Sequence, residues 1–465
     1  MLLPVEESAA EEGTSNETHE MWIELSGAHP WSSRRIGRCG SISTPHPGSV
    51  IDFAYSSGPV AAASAIDRTS AAPAGPINVL VVGANGYLGS AVCRAFLRTA
   101  CPLPSFFRVY GLVRRQGTAA SLAADEVIPV VGSVAASDAE ATAGIVLSHA
   151  NTWHVIVICT EPSKIDPVSE DQHWRGLLAL VKALSQSSAS PSRSPPTRPM
   201  VLWSSGCKDY GTTKLYGDQG LLPHAETSPL VPHPLVRGRM DAALRAVEAS
   251  RRDGEESDFD VAVIRATPLY GYSSSYYGAA FDYMSAYKAA VSRTGDKVLK
   301  LAQSPGTILH GIHVDDCGDA YVALAKTALW STATGLTAPG GSNGVKAGRA
   351  AVAGEAFNRS GRRYETLEHV GAALAAEYGL SDGVEFNVPV DELPEDVRKQ
   401  DTALVFGYSQ WVASDKIRST TSWSDTRPLF SQNIGVYRLA YDAAQERGSD
   451  NITKTRQRMA GIWGD

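Results

Sequence analysis

The stretch Ile77-Asn-Val-Leu-Val-Val82 followed by Gly83-Ala-Asn-Gly86-Tyr-Leu-Gly89 constrains the fold more than any other part of the chain. A run of branched apolar residues with no polar alternation reads as a central parallel strand, buried on both faces. Three glycines spaced GxxGxxG come next, then an amphipathic stretch carrying Leu88, Val92 and Phe96 and reading as a helix from about Ser90 to Arg98. Each glycine has a separate physical role. Gly83 permits the tight strand-to-helix turn, Gly86 lets backbone approach a pyrophosphate, and Gly89 allows close helix–strand packing. The helix N-terminus then faces the phosphates, with Asn85, Tyr87 and Leu88 filling the turn between the glycines. With 42 glycines in the chain the triplet alone carries little weight. Its position between a buried strand and a helix makes it a dinucleotide site.

Apolar strand-like runs recur at Arg108 to Val113, Val127 to Val131, Val155 to Cys159, Met200 to Trp203 and Val261 to Ile264, with helix-compatible stretches such as Trp174 to Leu184 between most of them. This alternation predicts an α/β fold, a Rossmann-type doubly wound parallel sheet with right-handed crossovers. After Tyr270 the alternation weakens into Gly-rich loops, a helical stretch at Leu367 to Tyr378 and Trp-containing segments, which suits a smaller C-terminal substrate lobe over the carboxyl edge of the sheet. The expected division is an extension over residues 1–75, rich in Ser, Gly, Ala, Pro and Glu and read as disordered; an NADP-binding domain over 76–265; and a mainly substrate-binding lobe over 266–465. The Ser/Pro-rich segment 185–199 reads as a flexible insertion that cannot continue a helix.

Cofactor choice falls at the end of the second strand. An NAD-preferring site places an Asp or Glu there for the ribose hydroxyls. This chain reads Val113-Arg114-Arg115 instead, and two guanidinium groups suit a 2′-phosphate, so NADP(H) is expected over NAD(H). A net charge of −7 gives no reason to expect nucleic acid, and no stretch approaches the roughly 20 apolar residues that span a bilayer. Six cysteines without a CxxC pair argue against structural zinc and a disulfide framework, so a cytoplasmic setting and no metal are expected.

Four segments in order resemble the extended short-chain dehydrogenase/reductases, the NAD(P)-dependent epimerase/dehydratase family. They are Gly83 to Gly89; Ser204-Ser205-Gly-Cys-Lys-Asp-Tyr210-Gly211; Arg265-Ala-Thr-Pro268-Leu-Tyr270-Gly271; and His313-Val-Asp315-Asp316. The resemblance spans roughly Ile77 to Phe430. It implies an oxidoreductase or epimerase acting on a small carbonyl- or hydroxyl-bearing metabolite, and a homodimer as the assembly to expect.

The chain departs from the family pattern where chemistry is done. The family pairs a Ser or Thr with a Tyr-x-x-x-Lys helix, whose lysine lowers the tyrosine pKa for proton transfer. In the corresponding stretch, His233 to Arg251, Leu235 stands where tyrosine is expected and Arg239 where lysine is expected. Ser205 is the hydroxyl best placed for a substrate carbonyl, with strand-end capping as the structural alternative. Tyr210, which opens Tyr210-Gly-Thr-Thr-Lys214, is the first candidate proton donor, although that segment lies in the loop rather than on the helix. Cys207 is expected to be inert, His154 structural, and the His313–Asp316 segment a loop-orienting element. Two other functions stay open: a catalytically silent dinucleotide-binding regulator, and a non-redox isomerase or lyase.

Overall fold

A computed structural model describes residues 75–162, 168–193, 195–251, 257–292, 294–330, 347–400 and 402–460. The extension expected over residues 1–75 lies, but for its last residue, outside them. In the first half, strands and helices alternate: β1 (Pro76–Val82), α1 (Tyr87–Arg98), β2 (Phe106–Val113), α2 (Ala119–Ala124), β3 (Ile128–Val131), α3 (Ala139–His149), β4 (Val155–Ile158), α4 (Glu170–Ala189), β5 (Met200–Gly206), α5 (Arg237–Ala249) and β6 (Asp260–Ala266). The middle holds β7 (Leu269–Tyr270), α6 (Gly278–Val291), β8 (Leu299–Lys300), β9 (Ile308–Leu309), β10 (Ile312–His313), α7 (Val314–Trp330) and β11 (Ala356–Arg359). The rest comprises β12 (Glu365–Thr366), α8 (Leu367–Glu377), β13 (Val384–Glu385) and the helices α9 (Glu395–Arg398), α10 (Ala403–Phe406), α11 (Asp415–Thr421), α12 (Ile434–Glu446) and α13 (Asp450–Ala460).

Seven strands form one parallel sheet in the order β11-β6-β5-β4-β1-β2-β3. The order reverses between β1 and β4, so the crevice for a ligand opens at the carboxyl ends of those two strands. Successive side chains of a strand point to opposite faces, and β1 feeds two cores accordingly. Val79 and Val81 pack with Val92 and Phe96 of α1 and Tyr321 and Leu324 of α7. Leu80 and Val82 pack with Trp174 and Leu177 of α4 and Ala243 of α5. A separate core of Phe281, Met284, Leu374, Phe406, Phe430 and Tyr441 holds the smaller lobe together. No helix among the described residues is long and apolar enough to cross a membrane.

Two expectations are corrected. Helix α4 does not stop before the Ser/Pro-rich segment but continues to Ala189. Ser185 and Ser188 are buried where it passes the sheet, and Ser188 donates its hydroxyl to the Leu184 carbonyl at 2.8 Å and accepts the Trp153 N–H at 2.9 Å. The bond back to Leu184 and the Trp153 N–H together satisfy the Ser188 hydroxyl, which holds it in the helix despite the weak helix preference of serine. The division near residue 266 is also not clean. The chain returns to the main sheet, because β11 pairs with β6 and α7 packs along α1, where a Cβ on Gly318 would sit 2.7 Å from the Ala91 carbonyl oxygen.

Candidate functional site

The glycine turn is built as its spacing requires. Gly83 has φ +82°, a conformation favouring glycine, and a Cβ there would lie 2.8 Å from the Cys159 carbonyl oxygen. Its N–H donates to Leu112 of β2, and its carbonyl accepts the Gly86 N–H at 2.9 Å. A Cβ on Gly89 would come within 2.1 Å of the Gly83 carbonyl oxygen, so the first turn of α1 lies directly on the loop. Gly86 is the N-cap, with no side-chain cap and no acidic residue in the first turn. Uncapped N–H groups and the positive end of the helix dipole therefore face the crevice, and the cradle fits a dinucleotide pyrophosphate. Asn85 is exposed at the tip, and Leu88 packs partly against the core. Tyr87 donates its hydroxyl to the Gly271 carbonyl at 2.7 Å, which ties the turn to the loop entering the smaller lobe. Arg114 directly follows β2, and both it and Arg115 are exposed. Partial burial and the neighbouring Arg115 charge lower the Arg114 pKa.

The end of β5 is a charge network. Ser205 donates its hydroxyl to Asp209, whose carboxylate is fully buried between Arg239 at 3.3 Å and Arg265 at 3.5 Å. Arg239, in the expected lysine position, also donates to Glu161 at 2.8 Å. Arg458 of α13 reaches the same carboxylate at 2.7 Å. A Cβ on Gly206 would lie 2.6 Å from the Arg239 guanidinium, so this glycine makes room for the arginine. Leu235 points outward, 42% exposed.

Tyr210 is placed away from a donor role. Its buried hydroxyl accepts from Arg265 at 2.9 Å and donates to Asn358 at 2.7 Å, and its ring stacks on His224 at 5.3 Å. Burial pushes its pKa well up, and Lys214 turns away to the Gln219 carbonyl. Cys207 is fully buried with its thiol on the Arg265 carbonyl, and burial raises its pKa. His154 accepts the Asn78 N–H through Nδ1, and burial lowers its pKa to about 4. Both arrangements fit structural roles.

The acidic pair at the start of α7 orients a loop. Asp315 receives Arg94, Tyr272 and Arg427, and Asp316 accepts the backbone N–H groups of Thr426 and Arg427 at 3.0 Å. The segment 423–427 is thereby fixed beneath the smaller lobe.

Lys208, Asp209, Glu161 and Arg458 were not singled out by sequence. The first two sit inside the Ser-Ser…Tyr-Gly segment, where charged residues beside a buried strand end were the available signal. Glu161 follows β4 in an irregular stretch and Arg458 lies on a polar C-terminal helix, so neither carried one. Burial raises the Glu161 pKa, but Arg458 and Arg239 outweigh it and hold the carboxyl at about 2. Because the folded value lies below the unfolded one, this contribution to stability is complete above about pH 4.5 and is lost as pH falls toward 2. The melting temperature of Glu161→Gln is therefore expected to fall below wild type at pH 7, with the gap narrowing as acid titrates the carboxylate. A gap independent of pH contradicts this.

No family model and no curated protein matches the sequence. Solved structures do. A dTDP-glucose 4,6-dehydratase from Bacillus anthracis, in complex with NAD, is 15% identical with a TM-score of 0.52, covering 80% of this chain and 98% of its own. The chain has the fold of the extended short-chain dehydrogenase/reductases. A UDP-glucose 4-epimerase from Bifidobacterium longum, in complex with NAD+ and UDP, is 14% identical with a TM-score of 0.51, covering 81% of this chain and 99% of its own. The dTDP-glucose 4,6-dehydratase DesIV from Streptomyces venezuelae is 17% identical with a TM-score of 0.52 over 80% of this chain and 98% of its own.

Proposed function

We propose that the protein is an NADP(H)-dependent oxidoreductase or epimerase acting on a small metabolite that carries a hydroxyl or carbonyl group. The observation that carries this reading is the uncapped N-terminus of α1 behind a glycine cradle that side chains would fill. Gly83, Gly86 and Gly89 bring backbone to the pyrophosphate, the first turn of α1 binds it, and Arg114 and Arg115 take the 2′-phosphate. The dinucleotide supplies or accepts a hydride when bound. Ser205, whose proton is directed to Asp209, offers lone pairs to a substrate hydroxyl. The solved structures of this fold named above act on dTDP- and UDP-linked glucose, which makes nucleotide-linked sugars the first class to screen.

Replacing both Arg114 and Arg115 by Ala is expected to weaken NADPH binding by about tenfold or more while leaving NADH little changed, because charge-assisted contacts to the 2′-phosphate are lost. Equal loss for both cofactors, read by fluorescence titration, counts against the assignment.

A second reading, a catalytically silent dinucleotide-binding regulator, is favoured by exposed Leu235 and by Arg239 being paired with two carboxylates. Turnover of any carbonyl compound that stops with Gly86→Asp in a folded protein excludes it.

A further inference from the structure

The crevice above the glycine cradle has two rims, and each touches the cradle. One is the loop leaving β4: a Cβ on Gly83 would lie 2.8 Å from the Cys159 carbonyl oxygen and 3.0 Å from Thr160 Cβ, and Glu161 comes next. The other is the loop after β7, where the Gly271 carbonyl accepts the Tyr87 hydroxyl at 2.7 Å. Helix α13 holds both. Its Asn451 amide donates to the Ser273 hydroxyl at 2.9 Å and to the Ser274 carbonyl at 2.5 Å, and its Arg458 reaches Glu161 at 2.7 Å. Seven residues separate these anchors, so they share one face of the helix and lie about 10 Å apart along it. Ile452 and Met459, each one position further on, are buried in the core of the smaller lobe, and Arg456 pairs with Asp282 of α6 at 2.6 Å. The helix therefore belongs to the smaller lobe and reaches across to the β4 rim through Arg458. The loop it grips is strained. Tyr272 and Ser274 have φ of +50° and +54° without being glycine, and the buried Ser274 hydroxyl has no hydrogen-bond partner among the described residues.

We propose that α13 is a strap across the mouth of the dinucleotide crevice, latched by Arg458 on Glu161, and that it lifts for a dinucleotide to enter or leave. The proposal rests on the dinucleotide-dependent reading above. A pyrophosphate seated on the first turn of α1 lies on the floor between the two rims, beneath the span from Asn451 to Arg458. Passage there requires the rims to part. The Arg458–Glu161 pair is the contact that gives way, because it is half-exposed and such pairs are weak, whereas Ile452 and Met459 keep the helix seated on its lobe. The Tyr276 hydroxyl, on the same loop as Ser273 and Ser274, also bonds the Arg458 guanidinium and keeps it aimed at the rim when the strap is open. Opening frees the loop from its left-handed residues, which offsets part of the lost ion pair. A contact made in both the free and the bound state, and broken only in passing between them, sets both rates by one factor and leaves their ratio alone. Arg458 therefore governs how fast the dinucleotide exchanges, not how tightly it is held.

The test compares full-length wild type with Arg458→Met, which keeps an apolar stem and removes the charge. NADPH association is followed by stopped-flow fluorescence, and dissociation by chasing bound NADPH with excess NADP+. Both rates are expected to rise about threefold or more in Arg458→Met, with the Kd changed by about twofold or less. Unchanged rates, or a change in dissociation alone, overturn the strap and leave the dinucleotide reading standing. Amide hydrogen exchange supplies a readout that needs no ligand. Residues 271–276 and 451–459 are expected to exchange faster in Arg458→Met than in wild type, since the latch closes both segments. Equal exchange overturns the strap. If neither protein binds NADPH, the dinucleotide reading falls and the exchange comparison alone decides the strap.

Discussion

Gly86→Asp is expected to weaken dinucleotide binding at least 100-fold while leaving the protein as stable as wild type. The two effects separate because of where Gly86 sits. Its φ is −76°, which any residue adopts, and a Cβ would lie 3.1 Å from the Gly83 carbonyl oxygen, a contact relieved by a small shift. Asp is among the preferred N-cap residues and its carboxylate favours the helix dipole, so the fold loses little. The same carboxylate occupies the N–H groups meant for the pyrophosphate and repels its charge. Gly89→Ala provides the contrast. Its Cβ would fall 2.1 Å from a backbone oxygen, so the turn itself must open, and both binding and melting temperature are expected to drop. Calorimetric titration beside thermal unfolding distinguishes the two. A destabilised Gly86→Asp, or one that binds normally, contradicts the placement of the pyrophosphate.

The second large effect is at Arg239. Removing it, as in Arg239→Met, leaves Asp209 fully buried with Arg265 at 3.5 Å as its remaining cation in the network described. Stripping one partner from a buried ion pair costs about 3–5 kcal/mol. The Glu161 contact adds less, because that carboxylate is partly exposed and keeps Arg458. Urea unfolding is expected to show a loss in this range, and the losses of Arg239→Met and Asp209→Asn are expected to be less than additive in the double variant, because the two side chains share one contact while Arg265 loses its carboxylate only with Asp209. Strictly additive losses contradict the pairing.

The parts of this molecule legible in the sequence are those where burial dictates residue type. β1 is covered on both faces from Val79 to Val82, so that stretch had to be apolar, and the turn after it leaves no space for a Cβ at Gly83 or Gly89. Strands β2 to β6 follow the same logic. What escaped depends on partners far along the chain. β11 reads Ala-Phe-Asn-Arg, with Asn358 and Arg359 fully buried. Arg359 is accommodated because it donates to the Cys317 carbonyl and lies 4.5 Å over the Tyr321 ring, both contributed by α7. Ser188 of α4, which accepts the Trp153 N–H, was hidden in the same way. At the site, segment order located the end of β5, but spacing could not show that Tyr210 faces Arg265 and Asn358, nor that Arg239 is shared by two carboxylates from different loops.

The central claim is that the α1 cradle binds a nicotinamide dinucleotide and the Arg114–Arg115 pair prefers its phosphorylated form. Calorimetric titration of the full-length protein with NADPH and with NADH tests it most directly. The account predicts one-to-one binding of NADPH at least tenfold tighter than NADH. Absence of binding by either contradicts the cofactor site, and tighter binding of NADH contradicts the role given to the arginines.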